Sequence, residues 1–126
     1  MIVIGIGSNS LATADDITAA ISAAEVSAGV TADRVATLAR GAPDRAIIEA
    51  AKLHGCEVVL LSVTDLLLRS SQCVTRSAAS LAAHGVPSMA EASALAGAGP
   101  GSRLIMPRLR RERVTAAVAT SQDTTR

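Results

Sequence analysis

A short polar loop follows the apolar segment at the amino terminus. Residues 1–6 are large and aliphatic apart from one glycine, and they lead into Gly7, Ser8 and Asn9. In open α/β sheets such a loop lies at the carboxyl end of a strand, where amides and hydroxyl groups bind carboxylates or phosphates. The third glycine of a dinucleotide fingerprint and the lysine of a P-loop are both missing. We expect an anion-binding turn, with a loop that merely reverses the chain as the alternative.

Positive charge is concentrated in the second half of the chain. Residues 1–65 carry eight acids and four bases, whereas residues 66–126 carry three acids and eight arginines. This asymmetry favours an anionic partner for the basic half. Solvated arginines on a surface hairpin are the alternative explanation.

The histidines and cysteines form no recognisable catalytic or metal-binding pattern. Cys56 and Cys73 are widely separated, and His54 and His84 each come at the predicted end of a helix, where an imidazolium stabilises the helix dipole. His54 and Cys56 alone cannot complete a metal site. No G-x-S-x-G sequence of a serine hydrolase is present. We expect neither a metal nor a cofactor.

The chain contains no Phe, Tyr or Trp. Sequence-tolerant binding of single-stranded nucleic acid depends on stacking bases against aromatic rings, so a nucleic-acid partner is not expected. No segment is long and apolar enough to span a membrane, and the amino terminus lacks the basic region of a secretory signal. These features predict a cytoplasmic protein without a membrane partner.

The elements that must position the polar residues alternate between strands and helices. Strands are predicted at residues 1–6, 34–38, 57–61, 104–106 and 114–119. Helices are predicted at residues 14–28, 44–54, 65–68, 77–84 and 87–95. This order predicts an α/β fold with three layers, α/β/α, around a mixed, mostly parallel sheet of about five strands that ends in an antiparallel hairpin. We expect one domain at residues 1–119 and a polar tail at residues 120–126.

Three polar side chains are placed to begin predicted helices. Thr13 with Asp16, and Ser88 with Glu91, have the spacing of a capping box. In that motif the hydroxyl accepts a helix N–H and the acid accepts the N–H of the cap residue. Asp44 is the predicted cap of the second helix. Glu91 therefore has a structural interpretation from its spacing alone.

The stretch Gly85-Val86-Pro87-Ser88-Met89-Ala90-Glu91-Ala92 is the most specific motif in the chain. Together with Gly5-Ile6-Gly7, the approach at residues 99–104 and the hairpin at residues 106–115, it resembles the carboxy-terminal domain shared by CobE and CbiG, proteins of cobalamin biosynthesis. The resemblance covers nearly the whole chain and implies a small α/β domain that acts on a corrin precursor. The longer CbiG is a cobalt-precorrin-5A hydrolase, which opens a lactone and releases acetaldehyde. This chain is more similar to the freestanding CobE.

The resemblance implies a polycarboxylate corrin or precorrin ligand, whose acid side chains require guanidinium groups, amides and hydroxyls. The residues that would bind it are Gly7, Ser8, Asn9, Thr75, Arg76, Ser77, Ser88, Arg108 and Arg110, with Arg111 and Arg113 on the same hairpin. Glu91 is the acid within the family-like segment and is the candidate catalytic base for lactone opening, in competition with its capping role. The alternatives are a noncatalytic corrinoid carrier and an interaction module whose arginine hairpin docks a pathway enzyme.

The chain departs from the family pattern at four places. Family members often have Cys-Arg where this chain has Ser8-Asn9, a lysine near Gly41, a proline at Arg76 and a lysine at Arg108. Chemistry that needs that thiol or that lysine is not available here. Arg40, next to Gly41, and Arg108 retain positive charge without being nucleophiles. Because rings are absent, a macrocycle has to lie against aliphatic side chains.

Overall fold

The structure is a computed structural model that describes residues 1–121. The strands are β1 (Ile2–Ser8), β2 (Arg34–Leu38), β3 (Glu57–Leu61), β4 (Arg103–Arg111) and β5 (Val114–Thr120). The helices are α1 (Ala14–Ala28), α2 (Asp44–His54), α3 (Val63–Leu67), α4 (Ala78–His84) and α5 (Met89–Ala98), with a 3-10 turn at Ser70–Gln72. The predicted polar tail begins within β5, and its residues 122–126 lie outside the described part of the chain.

The five strands form one sheet in the order β3-β2-β1-β5-β4. β1, β2 and β3 pair in parallel, whereas β5 is antiparallel both to β1 and to β4. Four strands therefore point the same way and β5 runs against them. The predicted mixed, mostly parallel sheet with a terminal hairpin is confirmed.

Helices cover both faces of this sheet. α1 and α2 pack on one face through aliphatic side chains such as Ile17, Ile21 and Ile47, which meet Ile4 and Ile6 of β1. α5 covers the other face, with α3 beside it. The three-layer α/β/α prediction is therefore confirmed, with an aliphatic core. Within residues 1–121 no helix has both the length and the apolar character needed to cross a membrane.

The contact between α5 and β1 is unusually close because β1 has glycine at its centre. A Cβ atom on Gly5 would collide with the carbonyl oxygen of Ala90 and the amide nitrogen of Ala94. The helix backbone therefore lies directly on the strand, which only glycine permits. This approach fixes the position of every side chain at the start of α5.

The terminal hairpin differs from its prediction. The sequence predicts strands at residues 104–106 and 114–119, which leaves residues 107–113 to join them, but β4 continues to Arg111 and the turn consists of Glu112 and Arg113 alone. Pro107 is accommodated because β4 is an edge strand with register shifts on either side of Met106. The arginines consequently alternate between the two faces of a strand and do not share one tip.

Helix starts agree with the sequence in one case and differ in two. Thr13 and Asp16 form the predicted capping box, with bonds of 3.1 and 3.0 Å. Ser88 accepts the Glu91 N–H at 3.2 Å, but within residues 1–121 the Glu91 carboxylate makes its bonds elsewhere and does not return to Ser88. Asp44 is also not a cap, because its carboxylate accepts the N–H groups of residues 40 and 41 in the preceding loop.

An arginine from the loop before α4 holds the end of α5. The Arg69 guanidinium donates to the carbonyl oxygens of Leu95, Gly99 and Ser102 at 2.9, 3.0 and 3.0 Å. The Leu95 carbonyl also accepts the Gly99 N–H at 3.1 Å and the Ser102 hydroxyl at 2.8 Å, and a cation at this end stabilises the helix dipole. Arg69 therefore joins the 3-10 segment to α5 and to the start of β4.

We expect Arg69→Gln to lower the free energy of unfolding by about 2 kcal/mol, because hydrogen bonds from a charged donor to buried carbonyls are lost. Urea denaturation measures the effect. Arg45→Gln removes the same charge from an exposed position on α2, and its effect is expected to stay within about 0.5 kcal/mol. Equal losses in the two variants would contradict the role assigned to Arg69.

Candidate functional site

A cavity of about 340 Å³ opens at the carboxyl end of β1. It lies between the loops that follow β1 and β2, the β4–β5 hairpin and α4. Gly7, Ser8 and Asn9 form its floor. Gly7 and Ser8 are the last residues of β1 and pair with β5, and the Asn9 N–H donates to the Arg113 carbonyl at 3.1 Å, so these residues are not the free turn that the sequence predicts. Open α/β sheets bind their ligands at this edge because strand ends and loops leave a crevice there.

Arginines make up one wall of the cavity. Arg108 and Arg110 come from β4 and Arg113 from the turn. Arg110 pairs in register with Thr115, which lies opposite Gly7 on β1, so Arg110 shares their face of the sheet. Arg111 is exposed, belongs to the opposite face and does not line the cavity. Only part of the predicted basic hairpin therefore faces the cavity.

A fourth arginine enters from the loop after β2. The Arg40 Nη2 atom donates to the Ser8 hydroxyl at 3.1 Å, and its backbone N–H is held by Asp44 at 2.9 Å. Arg113 is partly engaged, because its guanidinium lies 3.8 Å from the Asp16 carboxylate. Among the described residues, Glu112 is the acid in the lining, and the cavity as a whole is strongly cationic.

A second wall of the cavity comes mainly from α4, which contributes Ala79, Ser80, Ala83 and His84. Ala79 and Ala83 lie one helical turn apart and face the cavity together with Met89. His84 lies at the end of the same wall, where burial, followed by the positive charge of Arg40, lowers the pKa of its imidazole. This histidine is therefore neutral at neutral pH and leaves the wall uncharged.

Four of the residues predicted to bind ligand lie outside this cavity. Ser77 caps α4 by accepting the Ser80 N–H at 3.2 Å, and Ser88 is buried as the cap of α5. Thr75 donates its hydroxyl to Glu91, and Arg76 is exposed. The structure thus brings together Gly7, Ser8, Asn9, Arg108 and Arg110, whereas Thr75, Arg76, Ser77 and Ser88 are not part of the cavity lining.

Glu91 lies behind the cavity and is completely buried, with 0% of its surface exposed. Its carboxylate accepts four hydrogen bonds, from the backbone N–H groups of Val74, Thr75 and Arg108 and from the Thr75 hydroxyl. Burial alone raises the pKa of this carboxyl, but the hydrogen bonds outweigh it, so the pKa of Glu91 lies below its usual range. Glu91 is therefore ionised at neutral pH.

The negative charge of Glu91 also affects a neighbouring thiol. Burial, and after it the Glu91 carboxylate, raises the pKa of Cys73 to about 11. The thiol is therefore protonated at neutral pH and is a poor nucleophile. Within residues 1–121 no group of three His, Cys, Asp or Glu side chains comes together as it would around a metal ion.

Residues 2–119 match the model of the family described as cobalamin synthesis G C-terminus. The chain belongs to this family. Membership confirms the resemblance to the CobE and CbiG carboxy-terminal domain and connects the chain with cobalamin biosynthesis.

Two solved structures support this assignment to the cobalamin synthesis G C-terminus family. CobE, described as a protein from the cobalamin (vitamin B12) biosynthetic pathway, is 25% identical with a TM-score of 0.87, and the match covers 94% of this chain and 89% of CobE. The cobalamin biosynthesis protein ChiG from Agrobacterium tumefaciens is 41% identical with a TM-score of 0.81, and the match covers 98% of this chain and all of that one. No curated protein matches the chain.

Proposed function

We propose that this protein binds a polycarboxylate corrin precursor in the cavity at the carboxyl end of β1. The observation that carries the proposal is that arginines and the apolar side chains of Ala79, Ala83 and Met89 line the same cavity. A corrin precursor has a large apolar face and a rim of carboxylates, so it needs both surfaces at once. Arginine suits the rim because its planar guanidinium forms paired hydrogen bonds with a carboxylate.

The α4 wall is suited to the face of a macrocycle even though it has no aromatic ring. Ala79 and Ala83 project only methyl groups, so a flat ligand can approach the helix closely, and Met89 supplies a flexible, polarisable side chain beside them. Buried contact with such surface is favourable by about 25 cal/mol per Å². The absence of aromatic side chains therefore leaves the proposed mode of binding intact.

The position of Glu91 argues against the catalytic role that the sequence indicates for it. Hydrolysis of a lactone requires a base within reach of a water molecule in the site. Glu91, the candidate base from the sequence, is fully buried and lies outside the lining of the cavity. Its two oxygens already accept four hydrogen bonds, which fills the roughly four lone-pair positions of a carboxylate. Glu91 is therefore not available as a base. We propose that the protein holds a corrin intermediate and hands it to a pathway enzyme.

Titration with hydrogenobyrinic acid, followed by visible absorbance, tests this proposal. We expect a saturable spectral change, and we expect none with dicyanocobinamide, a corrinoid whose side chains are amides instead of carboxylates. A spectrum that does not respond to hydrogenobyrinic acid would contradict binding and leave the interaction module as the better explanation. Release of acetaldehyde from cobalt-precorrin-5A by the purified protein would contradict the carrier assignment.

A further inference from the structure

We propose that Glu91 is a positioning residue that fixes the arginine wall and the α4 wall of the cavity relative to each other. This inference rests on the proposed function, since it assigns Glu91 to the ligand site without contact with the ligand. It differs from both roles that the sequence indicates for Glu91, because neither a capping box nor a catalytic base requires the contacts described below.

One oxygen of the carboxylate holds the arginine wall. Oε2 accepts the backbone N–H of Arg108 at 2.9 Å, and the side chain of Arg108 lines the cavity. The bond therefore anchors β4 at a residue that carries one of the guanidinium groups. β4 is an edge strand with irregular register at this point, so the ladder with β5 alone constrains it weakly.

The other oxygen holds the segment that leads into α4. Oε1 accepts the N–H groups of Val74 and Thr75 at 2.8 and 3.0 Å, and the Thr75 hydroxyl donates to Oε2. Two residues further on, the Ser77 N–H donates to the Pro87 carbonyl at 2.8 Å and fixes the start of the helix. None of the α4 residues is buried, so this wall is fixed mainly at its ends.

Glu91 is fixed by its position on α5, so it can hold the two walls of the cavity in a constant relation. It lies in the first turn of α5, the helix whose backbone lies directly on β1 at Gly5. Within residues 1–121 no Arg, Lys or His forms a salt bridge with it, so its charge is balanced by N–H and O–H donors from the two walls. Loss of the charge therefore weakens both attachments together.

Amide hydrogen exchange tests the link without a ligand. Gln at position 91 keeps the size of the side chain but presents an NH₂ group to N–H donors. We expect Glu91→Gln to accelerate exchange in α4 at least tenfold relative to α1. Thr75→Val, which removes only the hydroxyl bond, is expected to give a smaller change in the same direction and serves as the readout if Glu91→Gln does not fold. Unchanged α4 protection in both variants, or equal acceleration in α1, would overturn the inference.

A double-mutant cycle with uroporphyrin, a planar polycarboxylate tetrapyrrole, tests the effect on binding. We expect Glu91→Gln to weaken binding of uroporphyrin about tenfold in the wild-type background. In the Arg108→Gln background we expect the same substitution to cause a much smaller further loss of affinity, because both changes act on the same wall. Combination with Arg113→Gln, on the turn, is expected to multiply the separate effects. If the losses of affinity multiply in both double variants, with Arg108→Gln as well as with Arg113→Gln, positioning through Arg108 is contradicted.

The induced circular dichroism of bound uroporphyrin gives a second readout. At saturating ligand, a loss of stability alone leaves the spectrum of the bound state unchanged, whereas displaced walls alter it. We expect Glu91→Gln to change this spectrum, and an identical spectrum would overturn the inference. Absence of binding by the wild-type protein, with α4 still deprotected in Glu91→Gln, would contradict the proposed function and leave the link itself supported.

Discussion

A protein with Arg108→Gln and Arg110→Gln is expected to bind hydrogenobyrinic acid at least about a hundredfold more weakly than the wild type. Each lost hydrogen bond between charged groups contributes about 1.5–3 kcal/mol, and about 1.4 kcal/mol corresponds to a tenfold change in affinity. Both side chains face the cavity from β4, on the side that carries the glycine floor. Absorbance titration at fixed ionic strength measures the loss.

Arg111→Gln is the matched control for this prediction. Arg111 lies next to Arg110 on the same strand but on the other face of the sheet. The substitution removes the same charge as Arg110→Gln does. We expect its affinity to stay within about threefold of the wild type, since exposed charges outside the site act only through a screened field. Equal losses for Arg110→Gln and Arg111→Gln would show that the basic half attracts anions without a defined site.

The sequence predicted the positions of residues in the β1 loop better than those on the hairpin. Gly7, Ser8 and Asn9 come after a buried apolar run, and residues in that place must lie at the carboxyl edge of the sheet, where Gly7 and Ser8 form the end of β1. The arginines required more, because which of Arg110 and Arg111 faces the cavity depends on strand register. Register is set by pairing with β5, a contact between segments that the local pattern does not specify.

Glu91 shows how tertiary contacts override a local motif. The spacing of Ser88 and Glu91 fits a capping box, and the serine half of that motif is present. Three backbone N–H groups from distant segments compete for the carboxylate and together bind it better than one cap N–H does. The donors come from a loop and from an edge strand, so nothing within the helix sequence predicted them.

Arg40 could be anticipated only in part. The sequence indicates Arg40 as a positive charge retained beside Gly41, and the structure places this residue in the cavity. The residue that orients its backbone, Asp44, was predicted as a helix cap from its place after Pro43. An Asp at a helix start satisfies either the helix amides or those of the preceding loop, and the choice depends on the path of the loop.

Gly5→Ala is expected to destabilise the fold by about 3 kcal/mol, the upper end of the usual cost of overpacking, because the clash is with rigid backbone. The added methyl group would meet the backbone of α5 at Ala90 and Ala94, and a helix backbone cannot step aside as a side chain can. Alanine also restricts the unfolded chain more than glycine does, and this effect alone raises the free energy of unfolding by about 0.4–1 kcal/mol. Urea denaturation of the variant measures the net effect.

Gly7→Ala provides the comparison on the same strand and the same face. Its added methyl group would lie 2.7 Å from the Thr115 hydroxyl oxygen, and that side chain can rotate. We expect a loss of about 1 kcal/mol or less, so similar losses at the two positions would contradict direct backbone contact at Gly5. The difference matters for the site, since only the close approach of α5 to β1 brings Glu91 within reach of Arg108 and Thr75. A strand without glycine at that point would hold the helix, and Glu91 with it, farther from the sheet.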